Sequence, residues 1–243
     1  MTPLQLPVSG DPGPVWRVGY APDPWQWTPW EYAKDRGRFN GRWDDQNADF
    51  RTLYTGDSLL GCFLELLASQ RPNDLAYAEL AAIEDDDHAA KDYPDPERGA
   101  IGLDWLNDRL YARGLQIGTY AEVTHAEALA FLVDAGVFDR LGIPPHDVDA
   151  SLLKDPRQRD ITRTVARFLF DLRDKTALQP LVDGIAFRSR MGDDIRLWAV
   201  FQRSENDVSE LITPDGPPHP VTDDNPDLAR AFTLLGLHWK ATG

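Results

Sequence analysis

One cysteine in 243 residues excludes an internal disulfide, and it equally excludes a zinc site built from cysteines. That residue is Cys62. Basic residues are scarce beside acidic ones, 25 against 40, and the net charge of −15 speaks against direct nucleic-acid binding, which needs a surplus of Lys and Arg facing phosphates. The five histidines, His88, His125, His146, His219 and His238, are scattered without ligand spacing, so no metal is expected. No stretch approaches the ~18 consecutive apolar residues that a membrane span needs, and no membrane partner is expected. The N-terminus has Pro and Gly where a signal peptide has a basic start and an apolar block, which predicts a cytoplasmic protein. Also missing are the Gly-x-Ser-x-Gly elbow, a phosphate loop with Gly-Lys-Ser/Thr, and a Gly-x-Gly-x-x-Gly after a strand.

What is present supports a packed globule: 42% of the residues are hydrophobic and eight are Trp, enough to fill a core. Residues 1 to 14 read as a loose leader and residues 15 to 243 as a single domain, with no internal repeat and no dividing linker. Strands are expected over residues 15 to 20, 50 to 55, 115 to 123, 182 to 189 and 197 to 201, the last two forming a hairpin around Met191-Gly192-Asp193-Asp194. Helices are expected over residues 59 to 69, 75 to 84, 126 to 135 (capped by Thr124), 160 to 174 and 228 to 237, with a short amphipathic piece over 104 to 111. In the 160 to 174 helix, Ile161, Val165, Phe168, Leu169 and Leu172 make the buried stripe and the arginines lie mostly elsewhere. This mixture is an α/β (α+β) fold. Asp85-Asp86-Asp87-His88 reads as a solvated acidic loop rather than a metal site, and Tyr93-Pro94-Asp95-Pro96 continues it. Residues 21 to 40 interleave Trp25, Trp27, Trp30, Tyr32 and Phe39 with Pro and Asp, a pattern that suits either a lid over a cleft or a satellite hydrophobic cluster.

The chemistry is expected between Gly37 and Glu65. A strand ending at Tyr54-Thr55 is broken by Gly56-Asp57-Ser58, where Asp57 or Ser58 can cap the following helix. On that helix Leu59, Leu60, Phe63, Leu66 and Leu67 share one side at a 3.6-residue period. Glu65 falls opposite, flanked by Gly61, Cys62 and Ala68, small residues that would let a ligand approach. Spacing alone favours a solvated carboxylate at Glu65. Arg17 projects from the first strand, either onto the solvent face or, if buried, toward an anion. An Arg on a strand, a second Arg, a Tyr closing a strand and a Glu on the next helix suit an anionic nucleotide: phosphate, ring and ribose respectively.

Four pieces of this sequence, Trp16-Arg17-Val18, Gly41-Arg42-Trp43, the run from Leu53 to Ser58 leading to Glu65, and Asp183-Gly184-Ile185-Ala186-Phe187-Arg188-Ser189, follow one another at intervals that resemble those of the RES-domain proteins. The resemblance spans residues 15 to 203. It implies an ADP-ribosyltransferase-like central sheet with flanking helices and a toxin of a toxin–antitoxin pair, held inactive by an Xre-type antitoxin. It also implies NAD as the consumed substrate, with cleavage of the nicotinamide–ribose bond by hydrolysis or phosphorolysis. The alternatives are ADP-ribosyl transfer to a protein and a non-catalytic partner-binding protein that kept the fold. Carried over, Arg17, Tyr54 and Glu65 are the catalytic candidates, and Arg17, Arg42, Tyr54 and Ser189 the NAD-binding ones. Glu65 would stabilise positive charge at the ribose, with Ser189 orienting Glu65 or the ribose. Two departures stand out: Asp44-Asp45 follows Trp43 where many members have Asn-Pro-Pro, and Val18 follows Arg17 where some have Tyr.

Overall fold

Period-2 alternation along the central strands assigns every second residue to one of two cores. The computed structural model describes residues 4–73, 97–174 and 176–241. The helix expected over 75 to 84, the acidic run at 85 to 88 and the loop at 93 to 96 lie outside the described residues. Among the described ones the strands are β1 (Val8–Ser9), β2 (Gly13–Tyr20), β3 (Thr52–Gly56), β4 (Ala100–Ile101), β5 (Arg109–Gln116), β6 (Tyr120–Glu122), β7 (Gly184–Ser189), β8 (Gly192–Phe201), β9 (Ile212–Pro214), β10 (His219–Pro220) and β11 (His238–Trp239). One sheet runs β1-β6-β7-β8-β3-β2-β5-β10, with β9 also on β5, while β4 and β11 form a separate pair. Its neighbours are antiparallel except β6 and β7.

Ile185, Phe187, Leu197 and Ala199 face the larger core, and Ala186, Trp198 and Val200 the smaller one behind it. The larger core is closed by helices α1 (Leu59–Leu67), α2 (Ala126–Asp134), α3 (Ala150–Lys154), α4 (Arg159–Asp171) and α5 (Pro226–Leu235). Among the described residues the smaller core holds no helical residue and is covered by Trp25, Trp27 and Ile212. This is the expected mixed α/β architecture, a mostly antiparallel sheet flanked by helices. No helix among the described residues is long and apolar enough to cross a membrane.

Several local expectations change. The segment from 104 to 111 is a 3-10 turn, Leu103–Leu106, followed by the start of β5. The strand expected over 115 to 123 is the end of β5 and all of β6, broken at Gly118, whose φ of 110° few other residues adopt. These two strands stand far apart in the sheet order although only residues 117 to 119 join them, so the sheet curls. The β7–β8 turn is Arg190-Met191, and residues 192 to 194 belong to β8. The cap of α2 is His125 rather than Thr124. The satellite-cluster reading describes part of the aromatic segment. Trp25 and Trp27 are 4% exposed and fill the smaller core, while Thr28 and Phe39 line a cleft.

On α1 the buried set is Leu59, Gly61, Cys62, Phe63, Leu64 and Leu67, and Leu66 is exposed. A single apolar stripe does not describe it, because α1 packs against the sheet and against α5 together. Gly61, Cys62 and Ala68 are small for protein packing rather than ligand access. A Cβ on Gly61 would sit 2.8 Å from Ile195 Cγ2, and Cys62 Sγ donates to Trp16 O at 3.3 Å. On α4, Arg163 is only 3% exposed, so one arginine lies within the buried face.

Candidate functional site

The β3–α1 junction sets the position of Glu65. Ser58, extended at φ −144°, accepts from Gly61 N at 3.1 Å, and Glu65 follows within the next two turns of α1. From the other side β7 delivers Ser189, buried, whose Oγ accepts from Met191 N at 2.9 Å and donates to Glu65 Oε1. The second carboxylate oxygen, Oε2, faces Arg42 Nη2 at 3.5 Å. Glu65 is thus half-buried with both oxygens oriented, which its solvated reading from spacing did not anticipate.

Arg42 belongs to the loop between the aromatic segment and β3. Its side chain is 8% exposed, and its guanidinium lies 4.7 Å from the Phe187 ring centroid and 5.9 Å from that of Trp43. Burial lowers its pKa, which the negative charge of Glu65 opposes.

Arg17 and Tyr54 make a second group. Arg17 donates through Nε to Pro24 O and through Nη1 to Tyr54 O at 2.8 Å, tying the aromatic segment to β3. Burial lowers its pKa to about 10, which still leaves it charged at neutral pH. The Tyr54 hydroxyl accepts from Trp43 N at 2.8 Å and donates to Asp44 Oδ1 at 3.1 Å, while Asp44 Oδ2 accepts from Gly41 N. Burial first, and Asp44 second, hold the Tyr54 pKa well above the ordinary phenol range, so the phenol stays neutral. A cleft of about 160 Å³ opens here, lined by Arg17, Thr28, Phe39, Asn40, Arg51 and Tyr54.

The structure therefore brings Arg42, Glu65 and Ser189 into contact, and Arg17 and Tyr54 into contact. The loop from Gly41 to Asp44 joins the two groups. That loop is also held from α4, where Arg163 donates to Phe39 O at 2.6 Å and pairs with Asp35 at 3.5 Å. Just after it, buried Asp45 pairs with Arg167 at 3.4 Å.

Sequence reasoning missed Asp44 and Arg163 as parts of this site. Asp44 was visible as a departure from the family pattern, but a loop has no periodicity to reveal that a carboxylate is buried. Arg163 had one usable signal: it lies three residues before Ala166 and two after Ile161, at the margin of the apolar stripe of α4.

Asp44 yields a pH-dependent expectation. Burial raises its pKa above the unfolded value, so ionisation costs the folded state. The penalty is fully present above the folded pKa and absent below the unfolded one, about 4. Asp44→Asn keeps an acceptor and removes the charge. It should melt higher than wild type at neutral pH, with the difference closing as the pH falls toward about 4. Melting curves of both proteins at matched pH check this; a gap that stays constant with pH would remove Asp44 as its source.

The family model described as RES domain matches residues 14–129. Residues 14–129 are thus similar to a RES domain. The matched span includes Arg17, Arg42, Tyr54 and Glu65, and it ends before Ser189 and α4, which complete the site from outside it. No curated protein matches the chain. Among solved structures, the crystal structure of the M. tuberculosis MbcT–MbcA toxin–antitoxin complex contains a chain 15% identical to this one. The alignment covers 93% of this chain and 92% of that one at a TM-score of 0.41.

Proposed function

We propose that this RES-domain protein is a toxin-type enzyme that consumes NAD by cleaving its nicotinamide–ribose bond. The observation that carries the reading is the carboxylate of Glu65, held on one oxygen by Ser189 and faced on the other by Arg42, with a ring-sized cleft at the Arg17–Tyr54 group across the Gly41–Asp44 loop. Cleavage of the C1′–N bond sends its electron pair into the pyridinium ring, so nicotinamide leaves neutral and needs no proton. Positive charge grows at C1′ and the ring oxygen. A fixed carboxylate stabilises that charge, as in a glycosidase. Water or phosphate then adds at C1′ and loses its proton to solvent, completing hydrolysis or phosphorolysis.

The cleft is small against the roughly 300–1,000 Å³ of sites that enclose a drug-sized ligand. It suits the nicotinamide ring, bordered by Tyr54 and Arg17, with the rest of NAD outside. Arg42 stands beside the ribose and first phosphate. The family resemblance supports an Xre-type antitoxin as the partner that covers this recess.

Purified protein incubated with NAD should release nicotinamide, leaving ADP-ribose in phosphate-free buffer or its phosphorylated form when phosphate is present. NAD that survives prolonged incubation with folded protein would instead leave a non-catalytic, partner-binding role.

A further inference from the structure

Arg42 is a buried cation without a firm partner. Among the described residues it makes no hydrogen bond, and its ion pair with Glu65 is 3.5 Å long. A guanidinium carries five donors, and those of Arg42 are not sealed from solvent, unlike the orphaned Nε atoms of Arg163, Arg196 and Arg203. One of them, on Nη2, faces the Glu65 carboxylate.

Two further arginines lie near Arg42. Arg159 is the first residue of α4 and lies one turn before Arg163, on the same face of the helix. Arg163 is fixed to the Phe39 carbonyl, so this face looks onto the loop that carries Arg42. Arg190 sits at the tip of the β7–β8 turn, immediately after the Ser189 that holds Glu65. Neither the Arg159 nor the Arg190 side chain makes a hydrogen bond or ion pair among the described residues. Both lie close enough to Arg42 to lower its pKa further, behind the larger effect of burial. The carboxylates nearby are already engaged: Asp155 by Arg157 at 2.9 Å, and Asp44 by Gly41 N and Tyr54. Even in a chain of net charge −15, Arg42, with one long ion pair, and two arginines whose side chains are unbonded repel one another, a cost that an anion would relieve.

We infer that Arg159 and Arg190, together with Arg42, form an anion subsite beside Glu65 that takes a phosphate group. The chemistry fits either the diphosphate of a dinucleotide or free orthophosphate, since planar guanidinium forks match phosphate oxygens in both. Assigning the anion to the NAD diphosphate rests on the function proposed above, whereas the subsite itself does not. The small cleft agrees with this placement, because a dinucleotide whose ring fills it must leave its phosphates outside.

The test is calorimetric titration of the whole chain with ADP and with adenosine, in wild type and in the double variant Arg159→Gln/Arg190→Gln. Both side chains are unbonded, so the variant should fold normally, which melting checks. Wild type should bind ADP more tightly than adenosine, and the variant should lose about tenfold or more of its ADP affinity while adenosine binding holds. Orthophosphate that competes with ADP in wild type, but not in the variant, extends the subsite to the free anion; absence of competition restricts it to the diphosphate. ADP affinity within about twofold of wild type in the folded variant would overturn the inference, as would wild type preferring adenosine. Nicotinamide release by wild type is scored separately. ADP binding that depends on the two arginines without NAD cleavage retains the subsite and rejects only the enzymatic reading.

Discussion

Glu65→Gln should slow nicotinamide release about a hundredfold or more, since removing one preorganised electrostatic contact commonly costs that much. The amide keeps the size of the carboxylate and an oxygen to accept from Ser189, so the geometry is conserved while the charge is lost. Substrate affinity should change far less, because the arginines and the cleft around Tyr54 remain. Folding is affected more than for an exposed carboxylate. Arg42, 8% exposed, loses its nearest counter-ion, which argues for a cost of about 1–2 kcal/mol, toward the lower end for hydrogen bonds to charged groups. In a chain of this size that corresponds to roughly 2–8 °C in melting temperature. The measurements are the rate of nicotinamide release, NAD affinity and melting temperature on one preparation. Release at the wild-type rate would show that Glu65 is not the catalytic carboxylate.

The largest stability effect is expected at Gly184, the first residue of β7. A Cβ built there overlaps the Ala199 carbonyl oxygen of the neighbouring strand and comes within 3.0 Å of Tyr120 Cε1. The obstacle is mainly backbone in the middle of the sheet, where β7 lies between β6 and β8, so neither side can yield without breaking register. Gly184→Ala should therefore destabilise by about 3 kcal/mol, the upper part of the usual range for overpacking. Melting should fall by roughly 6–12 °C. Because β7 also carries Ser189, a shift along it would draw the hydroxyl from Glu65 and lower activity in the molecules that remain folded. A melting temperature within about a degree of wild type would mean that the sheet accommodates the methyl group by sliding, and that β7 does not fix Ser189.

Much of the architecture around the site was legible from local pattern. The β3–Ser58–α1 unit follows from a run of β-formers, a capping serine and an apolar helix, each determined within a few residues. The β7–β8 hairpin was equally local, and only its turn was misplaced, because Gly192 pairs with Ser189 and Asp193 and Asp194 continue β8 past an irregularity in the ladder. Leu66 was misassigned for a different reason. A periodic stripe assumes one buried side, whereas α1 has neighbours on two.

By itself the sequence determined the residue types of the site and the elements that carry them: an arginine on the first strand, another beside Trp43, a tyrosine on β3, a glutamate on α1 and a serine ending β7. Only the tertiary structure decided how they combine. Ser189 reaches Glu65 across 124 residues of chain, because β7 and β8 bring it to the end of the sheet where α1 begins. The burial of Arg42, Asp44 and Arg163, and the nearness of Arg159 and Arg190 to Arg42, likewise depend on which distant segments pack against them. Propensity and periodicity act over one or two turns of chain, while burial and charge pairing are set by neighbours in space, and those exist only after the sheet has closed.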